Sequence, residues 1–290
     1  MSTHRPRYIN KPHRPSLKLG QFTMLKELFE KKQWDIDEKL EISYFERYVR
    51  MLTSLREEQQ AFMIKLTDRF LHLPQTEYLK HLLVPVSKLR GDFPEDNLLF
   101  ACCLPKADIG KVKSSTAVLY QFKGSTIRSK VDLGKHFVIE AFTPKHVSSI
   151  GSALEKSHFV LVDDFIGTGE TAIGAIEYIH EIFPDLEDNV RISVLSIVAM
   201  KQGVEAIQSI GASVYTDIIC TRGISDYYTG TDLNEALEMM HSIEDGLKKL
   251  KPEFRFGYGQ SEALVCMERC PNNTFPIYWF THNNAPYERH

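Results

Sequence analysis

From Pro94 onward, short apolar runs alternate with stretches of helical spacing, and this alternation constrains the fold more than any other feature of the chain. The runs are LLFACCL (98–104), FVIEAF (137–142), FVLVDD (159–164), VRISVLSIVAM (190–200) and ASVYTDIIC (212–220), with helical patterns near 111–122, 145–156, 170–183 and 201–210. A strand that is apolar at nearly every position must be covered on both faces, because a sheet with one wet face alternates apolar and polar residues. Such strands separated by helices predict an α/β domain with a mainly parallel sheet and helices on both faces. Ligands of these sheets bind at the carboxyl ends of the strands.

The region before Pro94 reads differently. Phe45, Val49 and Leu52 share one helical face, Phe62, Leu66 and Phe70 repeat four residues apart, Pro74 ends the second long helix, and Glu77 to Leu83 reads as a short third one. We expect a helical extension over 21–84, packed on the main domain of 85–290 or on a second chain. Residues 1–20 hold five Lys and Arg, three prolines and no acid, which predicts a flexible basic arm that reaches RNA or a partner or is simply solvated. The stretch 254–290 is rich in aromatics, Asn and Pro and reads as short strands and loops.

Composition excludes several classes. With 43% hydrophobic and 25% charged residues the chain folds, and a net charge of -3 gives no global drive toward nucleic acid or an acidic membrane. Five cysteines without a CxxC pair argue against a disulfide framework or a zinc ribbon. The N-terminus lacks an apolar signal core, and no run of 18 apolar residues occurs, so a cytoplasmic location is expected. The histidines have no metal-ligand spacing, and GxxxxGK[ST], GxGxxG, GxSxG and HExxH are absent.

The segment that carries chemistry is FVLVDDFIGTGETA, residues 159–172. A buried strand delivers Asp163 and Asp164 to its carboxyl end. Gly167, Thr168, Gly169, Glu170 and Thr171 then turn the chain into a helix. A glycine turn feeding a helix N-terminus presents unpaired N–H groups and the positive end of a dipole, which together hold a phosphate. Two carboxylates beside it accept hydrogen bonds from vicinal hydroxyls, so a ribose 5-phosphate fits the pattern.

This arrangement resembles the phosphoribosyl pyrophosphate signature of type I phosphoribosyltransferases. The resemblance implies that Asp163 and Asp164 hold the ribose hydroxyls and that Gly167 to Thr171 bind the 5'-phosphate. Gly167 departs from the Thr, Ser or Ala usual there. It also implies a Mg2+-dependent displacement of pyrophosphate by a base or another acceptor, with the loop after the first strand holding pyrophosphate. Lys106 and Lys111 match that loop by position, within a stretch (104–135) that carries seven basic residues against two acids. GSTIRSKVDLGK (124–135) matches a mobile closing loop. Candidate base-stacking residues are Tyr227, Tyr228, Phe275, Tyr278 and Trp279.

Arg269, Pro271, Asn272, Asn273, Thr274 and Trp279 add a narrower resemblance, to phosphoribosyltransferase-like domains of bacterial conflict and antiviral defence systems. It implies a protein partner in a defence complex and admits a homo-oligomer. The alternative is a non-catalytic nucleotide sensor or regulatory subunit that acts through a protein or RNA partner.

Overall fold

The computed structural model describes residues 17–36, 43–144, 157–184, 191–281 and 284–289. Residues 1–16 of the expected arm and the helix expected at 145–156 lie outside the described residues. The strands β1 (Leu71–His72), β2 (Asn97–Cys102), β3 (His136–Val138), β4 (Ser157–Ile166), β5 (Ile192–Met200), β6 (Ser213–Cys220) and β7 (Val265–Cys266) fall into two sheets.

Five of these strands form one parallel sheet in the order β3-β2-β4-β5-β6. Because successive side chains point to opposite faces, each apolar strand feeds two cores. Leu98, Phe100, Val160 and Val162 pack beneath α4 (Tyr78–Asp92), α5 (Ser114–Lys123) and α6 (Ser125–Lys130). Leu99, Ala101, Phe159 and Leu161 pack beneath α7 (Glu170–Ile182) and α8 (Lys201–Ser209). The expected α/β architecture with both faces covered is therefore present. From β2 the chain moves to one side to form β3 and returns to the other side to form β4, which makes the β2/β4 seam the switch point where such sheets open a crevice.

The seam opens because β4 outruns its neighbour. Pairing with β2 ends at Cys102 opposite Val162, while β4 stays paired with β5 through Ile166 opposite Ala199. Asp163 and the residues after it thus have one edge toward the crevice.

Several expected boundaries differ. The short helix expected at 77–83 runs on to Asp92 with Pro85 inside it. Pro85 removes one helical donor, but Tyr78, Leu82, Val86 and Leu89 are fully buried on the sheet and hold the helix together across it. A division between 84 and 85 therefore falls inside this helix. The segment matched to a mobile loop (124–135) contains α6, whose Ile127 is fully buried. The expected arm ends in α1, which begins at Leu19.

The helices α1 (Leu19–Lys31), α2 (Tyr44–Thr53) and α3 (Glu57–Asp68) build a third core with α9 (Gly230–Asp245) and the C-terminal segment. Phe29, Tyr48, Phe70, Phe275, Tyr278 and Trp279 meet there, and Thr67 Oγ1 lies 3.0 Å from Tyr278 Oη. The parallel pairing of β1 with β7 ties the end of this helical region to the tail. In this way Arg269 to Thr274 are brought back over the end of the sheet. Among the described residues no helix is long and apolar enough to cross a membrane.

Candidate functional site

Two adjoining cavities occupy the β2/β4 crevice. The smaller, about 280 Å³, is lined by Gly167 to Ala172 together with Asp163, Cys103, Tyr258 and Asn273. The larger, about 480 Å³, reaches Asp163, Asp164, Ser114, Lys113, Arg269 and Arg289. Asp163, Thr171, Asn272 and Asn273 border both.

The two acids differ in environment because neighbouring residues of a strand face opposite ways. Asp164 is 4% exposed, and its Oδ2 accepts a hydrogen bond of 3.0 Å from the Tyr78 hydroxyl. That hydroxyl in turn accepts from the Glu268 backbone N–H at 3.1 Å. Asp163 is half-buried, and its Oδ1 accepts from the Asp164 backbone N–H at 2.9 Å and from Ser114 Oγ at 3.3 Å. Burial, and next to it the charge of Asp164, push the Asp163 carboxyl well above the ordinary carboxylate value. Among the described residues no cation is paired with either acid in this arrangement. Their carboxylates face a cavity where ligand hydroxyls or a hard cation would be compensated.

Beyond β4 the turn is tight, and the helix starts at Glu170, where the helical pattern near 170–183 places it. Gly169 is the N-cap, at φ +88°, a left-handed conformation that favours glycine. Gly169 has no side chain to cap α7, and the Glu170 N–H donates to Thr168 Oγ1 at a long 3.4 Å, so this helix N-terminus faces the smaller cavity with a hydroxyl beside it. The Glu170 carboxylate, which would repel an anion there, accepts a hydrogen bond of 2.8 Å from Tyr258 Oη.

Gly167, the departure from the resembling signature, has a steric reason. A Cβ built on it would lie 2.3 Å from the Asn273 side chain. Asn273 is itself fixed, donating to the Tyr258 carbonyl at 3.2 Å and to Ser261 Oγ at 2.9 Å. The tail thus fills the space that a side chain of the loop would take.

The basic residues of the first loop lie elsewhere. Lys106 forms an ion pair with Glu181 on the flank of α7, and Lys111 pairs with Asp108 at 2.8 Å. Neither lines the two cavities. Of this loop's cations Lys113 borders the larger one, with its ammonium on Asp108 at 2.8 Å. The candidate base-stacking residues are likewise not brought to the crevice. Phe275, Tyr278 and Trp279 are buried core, and Tyr227 is an exposed ring under the Arg69 guanidinium, 3.6 Å from its centroid. Tyr78, Ser114, Tyr258 and Arg289 border the site without having been singled out by sequence. Only Tyr78 carried a signal, as a polar-tipped aromatic in an apolar helical stripe, and that pattern reads as core.

Among the described residues no cluster of three or more His, Cys, Asp or Glu could hold a metal. The two carboxylates are hard oxygen donors of the kind Mg2+ takes together with water and phosphate oxygens, so the pair suits an ion that arrives with its ligand.

Solved structures with a similar chain trace include a Helicobacter pylori xanthine-guanine-hypoxanthine phosphoribosyltransferase, 14% identical with a TM-score of 0.30 over 52% of this chain and 84% of that one. An Aeropyrum pernix orotate phosphoribosyltransferase is 14% identical with a TM-score of 0.29 over 56% and 75%. A hypothetical protein of Neisseria gonorrhoeae with bound ppGpp is 9% identical with a TM-score of 0.34 over 60% and 97%. No curated protein matches the sequence. The sequence profile of the PRTase-CE family matches residues 56–289, a span that takes in α3, the whole parallel sheet, both acids, the glycine turn and the tail that closes on it. The chain belongs to the PRTase-CE family.

Proposed function

We propose that this protein binds phosphoribosyl pyrophosphate, or a ribose 5-phosphate nucleotide, and transfers the phosphoribosyl group to a base or other acceptor with release of pyrophosphate. The observation that carries this reading is the meeting of Asp163 and Asp164 with the glycine-capped N-terminus of α7 in one crevice at the switch point of the sheet. A sugar phosphate spans such a site, with its phosphate on the helix N–H groups and its vicinal hydroxyls on the carboxylates. Membership of the PRTase-CE family supports the same ligand class.

Under this reading the chain works mostly by positioning. Thr168 and Thr171 add hydroxyls to the phosphate turn, and Tyr78 and Ser114 hold the acids. Asp163, whose carboxyl burial pushes above the ordinary carboxylate value, serves as the group that gives up or takes a proton near the sugar. Mg2+ bound with the ligand would neutralise the departing pyrophosphate. Lys106 and Lys111 join only by leaving Glu181 and Asp108.

Those pairings favour a second reading, a sensor that binds the ligand without turnover. Calorimetry with ribose 5-phosphate tests the site. We expect the double variant D163N/D164N to lose at least about tenfold in affinity, about 1.4 kcal/mol, with its melting temperature preserved. Wild-type affinity in that variant would overturn the assignment. Pyrophosphate release from phosphoribosyl pyrophosphate, assayed with a panel of bases and nucleotides, separates the enzyme from the sensor.

A further inference from the structure

The cations that border the acid-lined cavity come mainly from the C-terminal segment and not from the first loop. Arg269 and Arg289 line the wall formed by the tail, in the cavity that Asp163 and Asp164 also line. Arg289 is fixed in place. Its backbone N–H donates to the Trp279 carbonyl at 3.1 Å, its own carbonyl accepts from Thr281 Oγ1 at 2.6 Å, and its guanidinium lies over the Trp279 indole, 5.3 Å from the centroid. Burial, and after it the positive charge of Arg269, lower the Arg289 pKa from its ordinary value. An anion that reaches both guanidiniums would offset the repulsion that Arg289 feels from Arg269.

Guanidinium groups offer planar forks of donors that match phosphate oxygens, and two forks suit a diphosphate better than a single phosphate. The 5'-phosphate position at the N-terminus of α7 belongs to the smaller cavity, which neither arginine borders. We infer that Arg269 and Arg289 form an anion subsite for a diphosphate group, the role that position in the sequence suggests for Lys106 and Lys111. The inference rests on the reading that the acids hold the sugar, since that places C1' and its substituent in the larger cavity. The diphosphate is either the one carried by phosphoribosyl pyrophosphate or free pyrophosphate after release.

The test is calorimetry on the full chain with Mg2+ and three probes: inorganic pyrophosphate, phosphoribosyl pyrophosphate and ribose 5-phosphate. In R269Q/R289Q we expect affinity for phosphoribosyl pyrophosphate to fall by about tenfold or more, with ribose 5-phosphate within about twofold of wild type. A parallel fall for inorganic pyrophosphate extends the subsite to the free product, and a fall for the sugar diphosphate alone confines it to the donor. R289K keeps the charge and the stem over Trp279 but loses the fork, and should recover only part of the affinity, at the melting temperature of wild type. Wild-type affinity for both diphosphates in the double variant overturns the inference. So does an equal loss for all three probes, or a loss that tracks a lowered melting temperature and is not recovered in R289K. The functional reading fails separately, if D163N/D164N binds ribose 5-phosphate like wild type whatever the arginine variants do.

Discussion

Asn273 stands in the space that any side chain at residue 167 would need, because a Cβ on Gly167 would lie 2.3 Å from its amide carbon. The phosphate turn and the C-terminal tail are therefore interlocked. The lock is tight on its other side too, where a Cβ on Gly257 would fall 1.9 Å from the Asn273 carbonyl oxygen. Gly167→Ala should destabilise the protein by about 1–3 kcal/mol, as overpacking does elsewhere. Asn273→Ala in the same chain should recover part of that loss. Thermal melts of the two single variants and the double variant give the coupling, and additive effects would mean that the two residues do not compete for space.

Tyr78 reaches 3.0 Å from Asp164 Oδ2 and takes the Glu268 N–H at 3.1 Å, so one buried hydroxyl satisfies an acid of the site and a donor of the tail. Tyr78→Phe removes this partner from both, and the largely buried Asp164 carboxylate in particular is left with less compensation, which should cost about 1–3 kcal/mol. Denaturant midpoints check the stability. Under the proposed function, ribose 5-phosphate affinity should fall as well, since Asp164 loses the group that orients it.

Much of this was legible in the chain. The five apolar runs gave the parallel sheet, because strands covered on both faces cannot alternate, and the DDFIGTGET segment gave the turn and the acids. What stayed hidden depends on long-range closure. Nothing near Tyr78 in sequence signals that its hydroxyl meets an acid 86 positions away. Pro85 reads as a helix stop, and only burial of Val86 and Leu89 against the sheet explains why the helix continues. Lys106 and Lys111 match a pyrophosphate loop by position, but position does not reveal that Glu181 and Asp108 lie within reach.

Glu244 is fully buried in α9, and both carboxylate oxygens accept from the Phe256 N–H, at 3.0 and 3.1 Å. Burial raises its pKa from 4.5 to about 7. The folded state therefore holds a proton that the unfolded state has released, and stability falls as pH rises from 4.5 through about 7, then levels off. The loss is on the order of 3 kcal/mol, since each tenfold difference in proton affinity between the two states is worth about 1.4 kcal/mol. Glu244→Gln should flatten this window and be relatively more stable at pH above 7 than below 5. Urea midpoints measured across the window decide it, and an unchanged slope would contradict the burial argument.

Asp163 gives a pH effect on binding instead. Its carboxyl is raised in the unliganded protein, chiefly by burial. Under the proposed function, sugar hydroxyls and a cation favour the ionised form, so binding should release a proton and tighten as pH rises toward the raised value. Calorimetry in buffers of different ionisation enthalpy reads the proton directly. Asp163→Asn should abolish the release, and a wild-type titration without proton release would count against the acid's part in the site.

Tyr258 and Glu170 form the last testable pair. Glu170 begins α7, where its charge favours the helix dipole but opposes an anion at the same N-terminus. The Tyr258 hydroxyl, 2.8 Å from Glu170 Oε2, holds that carboxylate, and the hydrogen bond and the charge raise the tyrosine pKa. If the turn binds phosphate, Tyr258→Phe lets Glu170 move over the N–H groups and weakens ribose 5-phosphate binding by about threefold to tenfold, the size of a modest charge effect near a surface. Glu170→Gln alone should strengthen binding, and in the Tyr258→Phe background it should restore what was lost, because an amide has no charge to bring. A Tyr258→Phe defect that persists with Glu170→Gln would instead place Tyr258 in direct contact with the ligand, and the holding role would be withdrawn.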